Sequence, residues 1–166
     1  MMVRRIIQSW DTAIKAAAHH DASACATFAY DGTVHQLMDM QVMRLEYPEL
    51  KRAMIAAAER YAPEAILIED KASGQSLLQD LRRETTLPLI ANQPRGDKIL
   101  RVARITPLLE AGNVALPTYA PWLAAFEQEV ALFPHGAHDD QIDAMTQYLL
   151  WAQAHDSGGR YYVRGL

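Results

Sequence analysis

The stretch Ala65-Ile66-Leu67-Ile68-Glu69-Asp70-Lys71-Ala72-Ser73-Gly74 decides how the chain is read. An unbroken apolar run ended by an acid marks a strand buried on both faces, because a half-exposed strand would alternate polar and apolar residues. Strands of that kind lie in sheets covered by helices. Ser73-Gly74 duly opens a helix running to about Glu84, with Leu77, Leu78 and Leu81 on one face. Tyr47 to Tyr61 is a second helix: Leu50, Met54, Ile55 and Ala58 recur at helical spacing, and Pro63 follows as a stop.

Upstream, Val3 to Trp10 reads as a first strand that ends at Asp11. Ala22 to Tyr30 and Thr33 to Val42 are two more, joined by the hairpin signal Asp31-Gly32. Downstream, Leu87 to Ala91 is expected to be another short buried strand, followed by a loop over Asn92 to Gly96. Lys98 to Ala111 is helical, with Pro107 expected to kink or restart it and Gly112 to end it. Val114 to Leu116 adds a small edge strand. Pro121 to Leu132 is a helix with Trp122, Phe126 and Val130 facing inward, and Asp139 to Ala154 is the last long helix. The order implies an α/β fold with a mixed central sheet, antiparallel in its first strands and parallel in its later ones, flanked by helices. There is no internal repeat or interdomain linker, so residues 1–156 are expected to form one domain and residues 157–166 a flexible tail.

A chain of 166 residues, 50% hydrophobic and 22% charged, suits one well-filled globular domain rather than a disordered segment. Cys25, between Ala24 and Ala26, is the single cysteine, expected to be a buried thiol, and it leaves a reducing cytosol as the expected compartment. No apolar run approaches the roughly 20 residues that cross a bilayer. Arg4-Arg5 and Ile6-Ile7 give way at once to Gln8-Ser9, which excludes a signal peptide. A net charge of −4 argues against coating nucleic acid by bulk electrostatics, but a local basic patch can coexist with clustered metal-binding acids.

Asp11 ends the first strand and Glu69 the central one. If those strands are neighbours, both acids project into the crevice outside the strand ends, where α/β sheets bind ligands. Either acid alone can also be a polar strand terminator or a helix cap. The third element is His138-Asp139-Asp140-Gln141-Ile142-Asp143-Ala144, whose acids stand three and four apart on adjoining helix faces. Capping and the helix dipole account for one or two of them. They account poorly for Asp143, which shares a turn with Ile142 and Met145. Asp11, Glu69, Asp139, Asp140 and Asp143 together form a candidate ligand set for Mg²⁺ or Mn²⁺, with Asp11, Glu69, Asp140 and Asp143 as the catalytic acids. Two such ions roughly 4 Å apart would serve the attacking water and the leaving oxygen of a phosphodiester. A crowded acid cluster also resists ionisation without cations, so metal is expected to order and stabilise the site.

Lys98, Arg101 and Arg104, with Arg95 before them, form a basic stripe that suits phosphates or, alternatively, an ordinary solvated face. Lys71 either positions substrate or pairs with Asp70. Asp70 and His138 are candidates to support the ligands from behind. His135 and His138 before two aspartates hint at zinc, but zinc wants three firm nitrogen or sulfur ligands, and His19 and His20 are the obvious additions. Trp122, Phe126, Phe133 and Trp151 are expected in the core.

Ser9-Trp10-Asp11-Thr12-Ala13, Ile68-Glu69-Asp70-Lys71-Ala72-Ser73-Gly74 and His138-Asp139-Asp140-Gln141-Ile142-Asp143-Ala144 resemble the three acidic motifs of the nuclease domain of tailed-phage large terminase subunits. Asp97-Lys98-Ile99-Leu100-Arg101-Val102-Ala103, Pro107, Glu110-Ala111-Gly112-Asn113-Val114 and Leu116-Pro117 add to the resemblance, which runs from about Arg4 to Trp151. It implies an RNase H-like fold and a metal-dependent endonuclease that cuts concatemeric double-stranded DNA during packaging. By position it implies that Asp11 bridges the metals, Glu69 ligates one, and Asp140 supplies the third acid with Asp139 and Asp143 beside it. It further implies an ATPase domain, a small terminase subunit and a portal protein as partners, and the cytoplasm of an infected or lysogenic bacterial host as the location. The chain departs from the family in having no G-x-x-x-x-G-K-[ST] loop, which points to an excised nuclease domain or a short stand-alone relative. Two other functions fit the residues: a resolvase-like or repair nuclease of the same fold, and a DNA- or portal-docking module active only within a complete motor.

Overall fold

The computed structural model describes residues 5–13 and 22–156. The tail at 157–166, Val3 and Arg4 of the first expected strand, and His19 and His20 lie outside the described residues. The elements are β1 (Arg5–Asp11), β2 (Ser23–Tyr30), β3 (His35–Met43), α1 (Tyr47–Tyr61), β4 (Ala65–Glu69), α2 (Ala72–Glu84), β5 (Leu89–Asn92), α3 (Lys98–Glu110), β6 (Val114–Ala115), α4 (Leu123–Leu132) and α5 (Asp140–Asp156). The strands form one sheet in the order β5-β4-β1-β2-β3-β6. β1, β2 and β3 pair antiparallel in sequence, whereas β4 lies parallel to β1, β5 parallel to β4 and β6 parallel to β3.

Local chemistry explains the joints. Between β2 and β3, the Asp31 carboxylate accepts the backbone N–H groups of Thr33 and Val34, both at 2.8 Å, and Gly32 takes a φ of 105° that suits a residue without Cβ. α1 stops where Ala62 turns left-handed and donates its N–H to the Ala58 carbonyl at 2.8 Å, just before Pro63. α3 runs through Pro107 as one helix rather than restarting there, and Gly112, at φ 73°, follows its end.

Two expectations about burial fail. The Leu87–Ala91 run is not a buried strand: β5 is the sheet edge and its residues are half-buried or exposed, because only β4 flanks it. On α4, Val130 points outward at 43% exposure while Glu129 is buried, so the inward stripe runs through Phe126 and Glu129. Phe126 is in the core and Trp122, Phe133 and Trp151 are half-buried; Cys25 is buried.

The period of two along each strand sorts side chains onto two cores. Trp10, Cys25, Ile66 and Ile68 pack against α1 and α2 through Leu50, Met54, Leu77 and Leu81. Ile7, Ala24, Ala26, Phe28 and Leu67 face the opposite way, against Ala144, Tyr148 and Leu149 of α5 and Ile105 of α3. β4 lies inside the sheet, between β5 and β1, and is covered on both faces, which is why Ile66, Leu67 and Ile68 are all fully buried.

At the far end of the α5 face, buried His35 shares a hydrogen bond of 2.8 Å with the Tyr148 hydroxyl and stacks on Tyr30. Burial lowers the imidazole pKa below its ordinary 6.5, partly countered by Asp156. The unfolded chain therefore takes up the proton first. His35 contributes stability above its ordinary pKa, and that contribution is lost as pH falls through the lower, folded value. Melting temperature is expected to fall on acidification below about 6.5, and the slope should flatten in His35→Phe even though that variant starts lower.

Candidate metal centre

The same period of two sets up the site. Register pairs Ile7 with Ala65 and Trp10 with Ile68, so Asp11 and Glu69 each stand one step past a matched pair, at the C-terminal ends of adjacent parallel strands. Counting in twos from Ile7 and Leu67, both acids fall on the face that α5 covers. Asp143, in the first turn of α5, reaches the same cleft. That cleft, of about 30 Å³, has room for little more than a water-sized body and is lined by Asp11, Glu69, Asp143, Asn92, Arg101 and Gln147 among others.

Two lysines compensate these acids. The Lys71 ammonium donates to Asp11 Oδ1 at 2.6 Å and lies 2.9 Å from Glu69 Oε2. Lys98 stands 2.7 Å from Asp139 Oδ2 and 2.8 Å from Asp143 Oδ2. Lys71 thus pairs with the two strand-end acids and not with Asp70, which accepts instead from Gln93. Burial is the dominant influence on Asp11 and pushes its carboxyl up to about 7; Lys71 pulls the other way, and Asp143 and Glu69 add to the rise. Burial likewise raises Asp143 against the pull of Lys98. Desolvation acts downward on Lys98, but its bonds to Asp139 and Asp143 prevail and raise it.

The donors are oxygens alone, one carboxylate is buried, and cations already sit against them. This chemistry fits a hard divalent ion. Among the described residues, no three acids, histidines or thiols stand together as a ready ligand set. The acids are instead gathered in pairs, one pair around each ammonium group. The expected need for an external cation is therefore met, in part, from within the chain.

The Terminase RNaseH-like domain model matches residues 8–151. This chain belongs to that family. No curated protein matches it. Solved structures share the fold at low identity: the large terminase nuclease from thermophilic phage G20c has a TM-score of 0.69 at 16% identity, with 90% of this chain and 81% of that one covered. The P22 large terminase nuclease domain has a TM-score of 0.66 at 12% identity, covering 89% and 81%. A large terminase from another thermophilic bacteriophage has a TM-score of 0.69 at 10% identity, covering 91% of this chain but 40% of that one. The mixed sheet flanked by helices is accordingly the RNase H-like fold that the acidic motifs suggested.

Within this terminase domain the remaining expected site residues scatter. Asp140 does not join Asp11; it lines a separate cavity of about 370 Å³ with His138, Arg44 and Glu129. The phase of α5 decides this, since Asp143 is nearly one turn further along and faces the strand ends. His138 is exposed and stands with Asp140, not behind the acid pair. Of the basic stripe, Arg101 lines the cleft, Lys98 is committed to Asp139 and Asp143, and exposed Arg104 donates to the Arg95 carbonyl at 3.2 Å. His135 is also exposed, so the described histidines do not converge with the acids.

Further residues hold the site together. Gln147, one turn beyond Asp143, donates to Ser9 Oγ at 2.9 Å and the Trp10 carbonyl at 3.1 Å, and accepts from Asn92 at 3.2 Å. It braces α5 against the ends of β1 and β5. Glu129 of α4 accepts from the Ile142 N–H at 2.8 Å and from Gln141 at 3.1 Å, capping the start of α5 from a neighbouring helix. Ser73 donates to the Thr12 carbonyl at 3.0 Å and ties β1 to α2. Gln147 sits four residues after Asp143, a same-face spacing that could have revealed it; Glu129 could have been found as a charge three residues after Phe126.

Gly74 is required by close approach. A Cβ there would lie 2.0 Å from the Glu69 carbonyl oxygen and 3.1 Å from Ile68 Cγ2. Gly74→Ala must therefore move α2 or the end of β4 that carries Glu69. We expect it to cost about 2–4 kcal/mol in denaturant unfolding.

Proposed function

We propose that this chain is the nuclease part of a phage DNA-packaging terminase, hydrolysing phosphodiester bonds of double-stranded DNA with Mg²⁺ or Mn²⁺. The observation that carries the proposal is the convergence of Asp11, Glu69 and Asp143, from two strand ends and a helix, on one cleft beside Arg101. Asp11, Glu69 and Asp143 would hold two ions, with Asp139 beside them; Asp140, in the other cavity, is left out of the first set of ligands. Bound there, divalent ions would supply the Lewis acidity that activates water and offsets charge on the leaving oxygen. Arg101 is placed to hold a phosphate in the cleft, and Arg95 and Arg104 are exposed and available to further phosphates. Gln147 and Asn92 orient α5 and the strand ends, so that the acids meet the phosphate without large rearrangement.

Solved nucleases from phage G20c carry zinc, magnesium or cobalt, which supports a divalent ion here. A longer thermophilic-phage large terminase, of which this chain spans 40%, has been solved with ADP, which supports an ATPase domain as a partner of this one. A small terminase subunit and a portal protein would complete the motor, in the cytoplasm of an infected or lysogenic bacterial host. No described helix is long and apolar enough to cross a membrane.

The test is plasmid cleavage with Mg²⁺ or Mn²⁺ by the parent chain and Glu69→Gln, with melting curves alongside. The parent should cleave and gain several degrees of melting temperature with metal, and Glu69→Gln should lose most of both. Metal that leaves the parent's melting temperature and plasmid untouched would sink the proposal and favour a docking module. A marked preference for branched over linear DNA would move the reading to a resolvase-like enzyme.

A further inference from the structure

Some ion pairs join one cation to one acid, as Arg52 does with Glu49 at 3.0 Å and Arg83 with Asp80 at 2.7 Å. Lys71 and Lys98 are different. Each ammonium bridges two carboxylates, and the bridged acids are those gathered at or beside the proposed metal centre. Lys71 joins the ends of two strands; Lys98 reaches from the start of α3 to the first turn of α5.

We propose that Lys71 and Lys98 are built-in counter-cations, each holding one acid pair until a divalent ion displaces it and turns it towards substrate phosphates. This rests on the metal-dependent reading above. An ammonium and a divalent ion compete for the same lone pairs, since both need anionic oxygens at short range. Two divalent ions would neutralise the carboxylates of Asp11, Glu69, Asp139 and Asp143 and leave both ammonium groups without counter-charge. The displaced groups sit on flexible four-carbon stems, with side chains 41% and 47% exposed. A phosphate backbone is the anion that would then satisfy them. Metal loading and DNA binding would therefore reinforce each other, because each displaced ammonium group would be free to meet a phosphate. Without metal the lysines blunt electrostatic repulsion among the acids, and without DNA they compete with metal.

Amine acylation by a water-soluble N-hydroxysuccinimide ester, read by peptide mass spectrometry on the parent chain with and without Mn²⁺, tests this directly. Lys51 is the internal reference, paired with Glu84 at 2.7 Å on the other side of the sheet. Acylation of Lys71 and Lys98 should rise several-fold with Mn²⁺ while that of Lys51 stays level. In Lys71→Met, folding being checked by its metal-free melting curve, half-maximal Mn²⁺ stabilisation should occur at about ten-fold lower metal, while cleavage at saturating metal falls. If Mn²⁺ stabilises the parent but Lys71 and Lys98 react no faster, the counter-cation role is wrong and the metal reading stands. A midpoint in Lys71→Met that is unchanged or higher also overturns it. If Mn²⁺ changes neither melting nor acylation, the metal reading has failed and takes this inference with it.

Discussion

Asp11→Asn is expected to reduce DNA cleavage by roughly a thousand-fold or more, while leaving the metal-free protein at least as stable as the parent. The two halves of that expectation share one cause. Burial raises the Asp11 carboxyl from 3.8 to about 7, and Lys71 only partly offsets it. The folded chain thus holds this proton more tightly than the unfolded chain. Stability from this group is present at low pH and is lost as pH rises from 3.8 towards about 7, where Asp11 ionises in place. Asparagine keeps the shape, removes that cost and leaves Lys71 with Glu69 as partner. It also removes the anion a divalent ion needs. Melting curves in EDTA at pH 8 should show the variant level with the parent or above it, whereas Mn²⁺ should shift the variant much less. A variant that melts well below the parent in EDTA would mean that the Lys71–Asp11 pair outweighs burial.

The second large effect separates two acids three residues apart. Asp143→Asn should lower cleavage by at least about a hundred-fold, and Asp140→Asn should stay within a few-fold of the parent. Asp143 lines the cleft with Asp11 and Glu69, whereas Asp140 lines the cavity on the side of Arg44 and Leu132. Steady-state cleavage of a linear duplex at saturating Mn²⁺ decides between them. The reverse order of effects would return the third-acid role to Asp140 and require α5 to rotate when metal binds.

The same residues mark where sequence reading stops. Asp11 and Glu69 are legible because each closes an apolar strand, and a period of two fixes which face a strand-end residue shares with its neighbours. α5 is harder. Gln141, Ile142, Ala144, Met145, Thr146 and Tyr148 are all buried, so the helix has little polar contrast from which to read its rotation. Without that phase, Asp139, Asp140 and Asp143 look equivalent. Proximity in the chain suggests Asp70 as a partner for Lys71, but the ammonium turns back to Glu69, two residues away, and to Asp11, 60 residues away. The same limit hides Gln147 and Glu129, whose partners are 138 and 13 residues away in the chain. Composition makes β5 look buried, because it reveals a strand but not its rank in the sheet. The hairpin, α1 and the helix ended by Gly112 rest on signals within a few residues, and those elements appear where expected.

The parallel pairing of β1 with β4 acts as a ruler. Hydrogen-bonded strands lie about 4.8 Å apart whatever side chains they carry, so the spacing of the Trp10 and Ile68 backbones, one step before Asp11 and Glu69, is a lattice constant of the sheet rather than a product of tuned packing. Core residues on either side can be exchanged, provided the sheet survives, without altering that interval. A fold that stores its working distance in the backbone can drift far in sequence, and this one remains recognisable against structures only 10% and 16% identical to it.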